Sequence, residues 1–441
     1  MLLIQGIGLP ADYDDGFIAY LNGTEVARRN LPGGAISYTN TALSNHEASR
    51  GTGASSPQEW EFIALDKSAL TNGTNVLAVS GHNFSLGSSD FSLSLKLYTN
   101  VTLVRGPFVQ MPKTNAVTVV WRTDALTDSV VEYGSNTNYS DGIVSNGSLV
   151  TEHVVDLENL SAGTNYFYRL RSGGAILAEG ATFQMRKTNS SFSMVVFGDF
   201  GAGTSAMSNI ADQVNALTNI DLWLTVGDNI YNDGQPGLYD PRWFSMYGPT
   251  MQRIPVFPTL GNHDINSVTG NWFAQYLQMP TNGPASALEK NYSFDYGNAH
   301  FLAIDSNPFN LNQTSTIAAI RQWVTNDLAA TEKTWKFAFF HHPPYTSTGG
   351  HDDDESVKTN LMPLLEAGGV QMIFDGHQHW YERMNPINGV YHITTGAGGA
   401  SLYTPTSIES YSAKFEYSVH SYSYLEIDDT RLVLRQIDKN G

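Results

Sequence analysis

Five times in the second half of this chain, an apolar run ends in a short polar block. The first is the clearest. Phe192 to Phe197 reads as a buried strand, and it runs into Phe197-Gly198-Asp199-Phe200-Gly201, a carboxylate held between two glycines. Four more blocks follow: Gly227-Asp228-Asn229-Ile230-Tyr231, Gly261-Asn262-His263-Asp264, His341-His342-Pro343-Pro344-Tyr345 and Gly376-His377-Gln378-His379. In an α/β sheet, ligands gather at the carboxyl ends of the strands. Five such ends carrying Asp, Asn, Tyr and His outline a metal site.

The donor types narrow the metal. Asp and His favour first-row divalent and trivalent ions, Asn adds a neutral oxygen, and a tyrosinate is a hard anion that suits Fe(III). The chain has no Cys, so every donor must be N or O. Two metals roughly 3.5–4 Å apart need a shared ligand, typically a carboxylate. Asp228, with Asp199 before it and Asn262 after it, is the expected bridge. His377 and His379 lie two apart, a spacing that lets them reach two different metals.

Composition excludes some functions. A net charge of −18, with only 24 Lys and Arg in 441 residues, opposes non-specific nucleic-acid binding. It does not oppose a phosphorylated small substrate, because a metal pair outweighs the distant field locally. No run of about 18 apolar residues is present, so no membrane span is expected. Met1 to Pro10 is too short and lacks the basic start of a signal peptide.

The chain divides by texture. Residues 1–100 read as all-β: Phe17 to Leu21 is a strand, Asn22-Gly23 a hairpin turn, and Asn75 to Ser80 and Phe91 to Tyr98 further strands. The stretch Asp14 to Arg28 resembles the jelly-roll modules, related to carbohydrate-binding domains, of bacterial secreted enzymes. Strands usually precede that motif and almost nothing does here, so the module is expected either to be truncated or to pack against its neighbour and cover the exposed edge. The resemblance implies polysaccharide as a further partner. Residues 101–187 form a second all-β unit, in which Val117, Val119 and Trp121 alternate toward one face. Leu160 to Leu170 resembles the turn and strand of a fibronectin type III sandwich, with Trp121 as core filler and a Tyr of residues 166–168 at the corner. Lys187 to Ser191 reads as a linker. Beyond it, over residues 188–441, strands alternate with helical patterns at Ser205–Leu217, Ile317–Leu328 and Val357–Glu366, the last stopped by Gly368-Gly369. Expected strands are Phe192–Phe197, Leu222–Val226, Phe301–Ile304, Lys336–Phe340, Val370–Phe374 and Tyr391–Thr395, with strand spacing again from Tyr422 to Ile437.

The ordered blocks, together with Tyr231 and Trp380-Tyr381-Glu382-Arg383, resemble the purple acid phosphatase branch of the calcineurin-like metallophosphoesterases over roughly residues 101–441. The resemblance implies a multidomain protein: two all-β sandwich domains, then an α/β metallophosphoesterase domain of four αββα layers. It implies two metal ions per chain, Fe(III) plus Fe(II), Zn(II) or Mn(II). The ferric ion would use Asp199, Asp228, Tyr231 and His379, and the divalent ion Asp228, Asn262, His341 and His377. His341 is preferred to His342 because it directly follows the strand and keeps the family spacing to Pro343 and Tyr345. His263 matches the histidine that contacts phosphate, with Asp264 as its orienting partner. His351 matches a substrate-facing histidine, although this chain has Gly350-His351 where the family carries its usual pair. The implied reaction is hydrolysis of a phosphate monoester by a metal-bound hydroxide, with His263 or His351 stabilising the transition state or protonating the leaving oxygen. The acidic run Asp352 to Glu355 is expected to favour the His351 imidazolium. A phosphodiesterase using the same site, or a glycan-binding surface protein with a vestigial catalytic domain, are the alternatives. The resemblance also implies a secreted, periplasmic or cell-surface protein.

Other titratable residues read more simply. His300 and His392 are expected to be structural, Asp352 to Glu355 a solvated acidic loop rather than a Ca²⁺ site, and Tyr345 and Tyr381 either pocket lining or packing. His46, His82 and His153 lie in the β-rich part, away from the blocks.

Overall fold

The computed structural model describes residues 7–46, 48, 61–88, 90–95, 97, 101–172, 175–186, 190–265 and 275–441. It divides into two compact units. One comprises Met1–Val104, Trp121–Val155 and Phe167–Gly180; the other comprises Arg105–Val120, Asp156–Tyr166 and Ala181–Gly441.

The first unit begins with two three-stranded antiparallel sheets. Their orders are Glu61–Leu65, Ile7–Tyr13, Leu93–Leu95 and Thr24–Arg29, Gly16–Leu21, Leu77–His82. Leu9, Ala11 and Tyr13 from one sheet share an apolar cluster with Phe17, Ala19 and Ala27 from the other. The Asn22-Gly23 turn falls between Gly16–Leu21 and Thr24–Arg29, with φ of 53° and 83°. Positive φ at both central residues is what a tight hairpin turn demands, and Asn and Gly meet it most cheaply. The strand expected at Asn75–Ser80 runs instead over Leu77–His82. Of Phe91–Tyr98 only Leu93–Leu95 is strand; residues 96 and 98, like 187–189 of the expected linker and 1–6 at the start, lie outside the described residues.

Leu103–Gln110, Val117–Gly134, Gly142–Leu157, Asn165–Ser172 and Ala175–Gln184 make one five-stranded sheet. Trp121 is fully buried, as expected of a core filler, and stacks on His153 at 4.7 Å. The Tyr166 hydroxyl accepts from the Ser161 backbone N–H at 3.0 Å, a link from strand back to preceding turn of the kind a tyrosine corner makes.

The second unit holds two larger sheets. The first has the order Val256–Pro258, Leu222–Thr225, Phe192–Phe197, Ser421–Ile427, Leu432–Asp438. Its first three strands are parallel and its last two antiparallel. The second sheet runs Tyr292–Tyr296, Ala299–Ala303, Trp335–Phe339, Met372–Asp375, Tyr391–Thr395, Tyr381–Met384, Ser412–Glu416, with four parallel strands at its centre. Residues of this sheet alternate between two apolar clusters, as the period-two pleat requires. Phe301, Phe337, Phe339, Phe374 and Ile393 join the cluster built on the first sheet. Leu302, Ala338, Phe340 and Ile373 face the other way, with Ile317, Ile320, Val324 and Leu328 of the Thr314–Ala330 helix.

The helices follow their signals. Thr204 caps Ser205–Ala216 by accepting from the Met207 N–H, and Met207, Ile210, Ala211 and Val214 form its buried stripe. The helix expected over Val357–Glu366 is two, Glu355–Asn360 and Met362–Ala367. Pro363 has no N–H to donate into the preceding turn, so the helix breaks ahead of it. Gly369, at φ 77°, ends the second helix. The Val370 N–H reaches the Leu365 carbonyl and the Gly369 N–H reaches Glu366, the pair of bonds of a Schellman stop. The stretch from Pro236 to Met251, for which the sequence reading has no helix, is helical and contains Pro241 and Pro249.

Candidate metal centre

The topology explains why five distant blocks meet. Val256–Pro258, Leu222–Thr225 and Phe192–Phe197 are parallel neighbours, so Asn262, Asp228 and Asp199 leave them at one edge of the first sheet. Trp335–Phe339 and Met372–Asp375 are parallel neighbours in the second, so His341 and His377 leave together as well. Neighbouring strands stand about 4.8 Å apart, a spacing that suits ligands converging on a metal pair. The backbone turns sharply at three of these exits: Asp199, Asp228 and His377 have φ of 56°, 49° and 67°, a region few side chains occupy. Gly261 admits another close approach, since a Cβ there would sit 2.1 Å from Asp228 Oδ1.

Two groups of donor atoms result, each lying within 4.8 Å: Asp228, His341 and His377; and Asp199, Asp228 and His379. Asp228 belongs to both. Asn262 Oδ1 lies 3.0 Å from His341 Nε2. The Tyr231 hydroxyl lies 3.2 Å from Asp199 Oδ1 and 3.0 Å from His379 Nε2. All seven expected ligands are thus drawn together. His342 is not in either group; its Nδ1 lies on the Ser306 hydroxyl at 2.8 Å.

Backbone carbonyls orient two of the imidazoles. His341 Nδ1 lies 2.9 Å from the Val226 carbonyl and His379 Nδ1 lies 2.7 Å from that of Ser401. Each Nδ1 therefore donates outward and directs Nε2 inward, where it becomes a ligand once it gives up its proton. His341 Nε2 then faces Asn262 Oδ1, Asp228 Oδ2 at 3.4 Å and His377 Nδ1 at 3.1 Å. Asp199 and Asp228 are essentially inaccessible to solvent. The ion-pair partners of those two carboxylates are imidazoles. Buried anions need compensating charge, and a pair of cations supplies it, so the donor set fits the expected metals.

The titration shifts express the same imbalance. Burial disfavours the His341 imidazolium, yet the Asp228 carboxylate beside it raises His341 to about 9. Burial works against the Asp228 charge too, but His341 and His263 hold that carboxyl below its ordinary range. Burial, then Asp199 and Asp228, push the Tyr231 phenol well up. Burial and the surrounding imidazoles keep His377 neutral.

His263 sits at the rim, its Nδ1 on the Asn232 carbonyl and its Nε2 3.9 Å from Asp228 Oδ2. Asp264 does not orient it. That carboxylate accepts instead from the backbone N–H groups of Asn229, Ile230 and Gly261 and from the Asn229 side chain, at 2.8–3.1 Å. It ties two ligand loops together, being buried beneath them rather than beside the imidazole. His351 stacks on His377 with ring centres 3.7 Å apart. The expectation that the acidic run would charge it fails. Asp353 accepts from Thr346 and Lys358 and Asp354 caps the Glu355–Asn360 helix, while burial and the neighbouring imidazoles lower His351.

Three residues with no obvious sequence signal also touch the site. Arg242 donates to the Tyr231 carbonyl. Gln378 holds the His351 backbone, and Tyr403 stacks on His379 at 4.1 Å. Gln378 stood inside the last block, where only its flanking histidines looked chemical.

Comparison with known proteins gives consistent matches. Residues 192–381 match the calcineurin-like phosphoesterase family, and residues 105–187 match the purple acid phosphatase N-terminal domain. Purple acid phosphatase 22 of Arabidopsis thaliana is 28% identical over 309 residues, covering 63% of this chain and 67% of that protein. Purple acid phosphatase 13 of the same plant is 33% identical over 190 residues, 38% of this chain and 34% of its own. Among solved structures, purple acid phosphatase PPD1 from yellow lupin (Lupinus luteus) seeds aligns with a TM-score of 0.66 at 15% identity, covering 99% of this chain and 88% of that one. PhoD aligns with a TM-score of 0.60 at 10% identity, over 78% and 92%. At such identities the two structures speak for the fold alone.

Proposed function

Since the chain belongs to the purple acid phosphatase branch of the calcineurin-like metallophosphoesterases, and is a phosphoester hydrolase that depends on metal, we propose that it hydrolyses phosphate monoesters at a binuclear centre of Fe(III) and a divalent ion. The observation that supports this reading is the sharing of Asp228 between two donor groups, one with a tyrosine hydroxyl beside it. Asp199, Asp228, Tyr231 and His379 would hold the ferric ion, and Asp228, Asn262, His341 and His377 the divalent one. When bound, such a pair lowers the pKa of water and neutralises phosphate oxygens.

The chain's own groups do the rest. Asp199, Asp228 and His341 are buried, which keeps competing water away from the charges they carry. His263 and His351 stand on the rim, where an imidazole N–H donates to a phosphate oxygen or to the leaving oxygen. Neither needs to become a covalent nucleophile. We read the domain as four layers, αββα, because its second sheet divides its apolar residues between two clusters. Ahead of it we read a sandwich over residues 1–100 and, over residues 101–187, a single five-stranded sheet in place of the expected fibronectin-like sandwich.

Turnover of nitrophenyl phosphate and bis(nitrophenyl) phosphate by the metal-loaded protein tests the reading. The monoester is expected to be the better substrate by kcat/KM. A preference for the diester would make the protein a phosphodiesterase with the same donor set.

A further inference from the structure

His351 is held in place by contacts that no site motif contains. The Gln378 side chain brackets its backbone: Oε1 accepts from the His351 N–H at 3.1 Å and Nε2 donates to the His351 carbonyl. Gln378 is itself fully buried, so this clamp has no competition from solvent. On the other side, the Tyr403 hydroxyl lies 3.4 Å from His351 Nε2. The Tyr403 ring lies flat on His379, at 4.1 Å and 9°, while the His351 ring lies on His377 at 3.7 Å and 20°. The two rim rings are thus laid over the two histidines of the last block and joined edge to edge by one hydrogen bond.

Gly350 makes the arrangement possible. A Cβ at that position would lie 2.3 Å from Tyr403 Cδ2 and 2.3 Å from Gln378 Oε1. Any side chain there would displace the phenol, the amide or both. The loop is also pinned from outside, by the Thr348 N–H on the Ser407 carbonyl at 3.0 Å and the Thr406 N–H on Thr348 at 2.8 Å. Residues 347–351 and 403–409 therefore form one bracket around the mouth of the site.

We propose that Tyr403 is a positioning residue, whose hydroxyl fixes the His351 imidazole for its contact with the phosphoester, and that Gly350 is the opening that lets it do so. The proposal rests on His351 acting on substrate, as read above. A phenol donating to Nε2 aims the ring and selects its tautomer in the resting enzyme, and yields that nitrogen when substrate arrives. Phe keeps the stack on His379 and loses only this bond, so Tyr403→Phe isolates the hydroxyl.

The test is a double-mutant cycle of Tyr403→Phe and His351→Ala in the full chain loaded with metal. It uses phenyl phosphate as the poor leaving group and nitrophenyl phosphate as the good one. Metal content and inorganic-phosphate affinity by calorimetry are measured on all four proteins. Tyr403→Phe is expected to retain both metals and its thermal midpoint, and to lower kcat on phenyl phosphate by about 10-fold with little change in KM, the scale of one lost hydrogen bond. It should add nothing once His351 is Ala. A Tyr403→Phe loss that multiplies in full with the His351→Ala loss would overturn the proposal, as would unchanged kinetics in the single variant. If His351→Ala loses activity and Tyr403→Phe does not, the role of His351 stands and that of Tyr403 falls. If His351→Ala loses nothing, both fall.

Discussion

Tyr231 occupies a position that makes chemical sense for only one of its two protonation states at a time. Without metal its buried hydroxyl donates to Asp199, and burial together with Asp199 and Asp228 holds the proton on. A ferric ion in that place would reverse the preference, since a coordinating acid is deprotonated by the cation's charge. The iron-loaded protein is therefore expected to show a visible phenolate-to-iron absorption band that Tyr231→Phe removes while iron stays bound. A band that survives the substitution would place the chromophore elsewhere. At this scale the sequence was most informative, because Asp, Asn, Tyr and His after apolar runs are residues that a fold gathers for a reason. It was least informative about orienting groups. Nothing in the spacing distinguishes Asp264, buried under two loops, from a carboxylate facing His263, for both would follow the histidine directly. Tyr403 lies too far from any block to be linked to one without the loop that returns it to His379.

Loops and strands carry the precision of those residues. Asp264 receives N–H groups from Asn229, Ile230 and Gly261, which lie in the stretches bearing Asp228 and Asn262. Each buried donor left without a partner costs about 1–3 kcal/mol. Asp264→Ala is accordingly expected to lower the thermal midpoint and the metal content together, although Asp264 is no ligand. Intact metal binding with a lost phosphate affinity would instead return Asp264 to His263. A second element is tied by charge. His300, in the Ala299–Ala303 strand, meets Asp295 of the neighbouring Tyr292–Tyr296 strand at 2.8 Å and Asp327 of the Thr314–Ala330 helix at 2.7 Å. Burial opposes its charge, but the two carboxylates win and raise it to about 9. Because the folded value exceeds the unfolded one, this contribution is whole below the ordinary imidazole value of 6.5 and fades as pH rises through about 9. Thermal melts between those limits should show stability falling with pH, and His300→Gln should flatten the slope. An unchanged slope would mean that other groups set it. The element boundaries were readable to within a residue or two where strands are apolar and parallel. They failed where proline intervened, at Pro363 and in the stretch from Pro236 to Met251.

Over the whole molecule, the nine residues proposed to bind metal or substrate, from Asp199 to His379, lie within the one compact unit that includes Ala181–Gly441. The chain's charge of −18 would repel a phosphorylated substrate if nothing offset it locally. The reading therefore depends on the cations and on Asp228 as the ligand they share. Among the described residues no helix is long and apolar enough to cross a membrane. The most direct test is to count metal ions per chain by elemental analysis in the wild type and in Asp228→Asn, with nitrophenyl phosphate turnover measured on the same samples. Two ions per wild-type chain, loss of at least one in the variant and near-complete loss of turnover are expected for a bridging carboxylate. Full turnover by a wild-type chain holding less than one ion, or by an Asp228→Asn chain holding two, would contradict it.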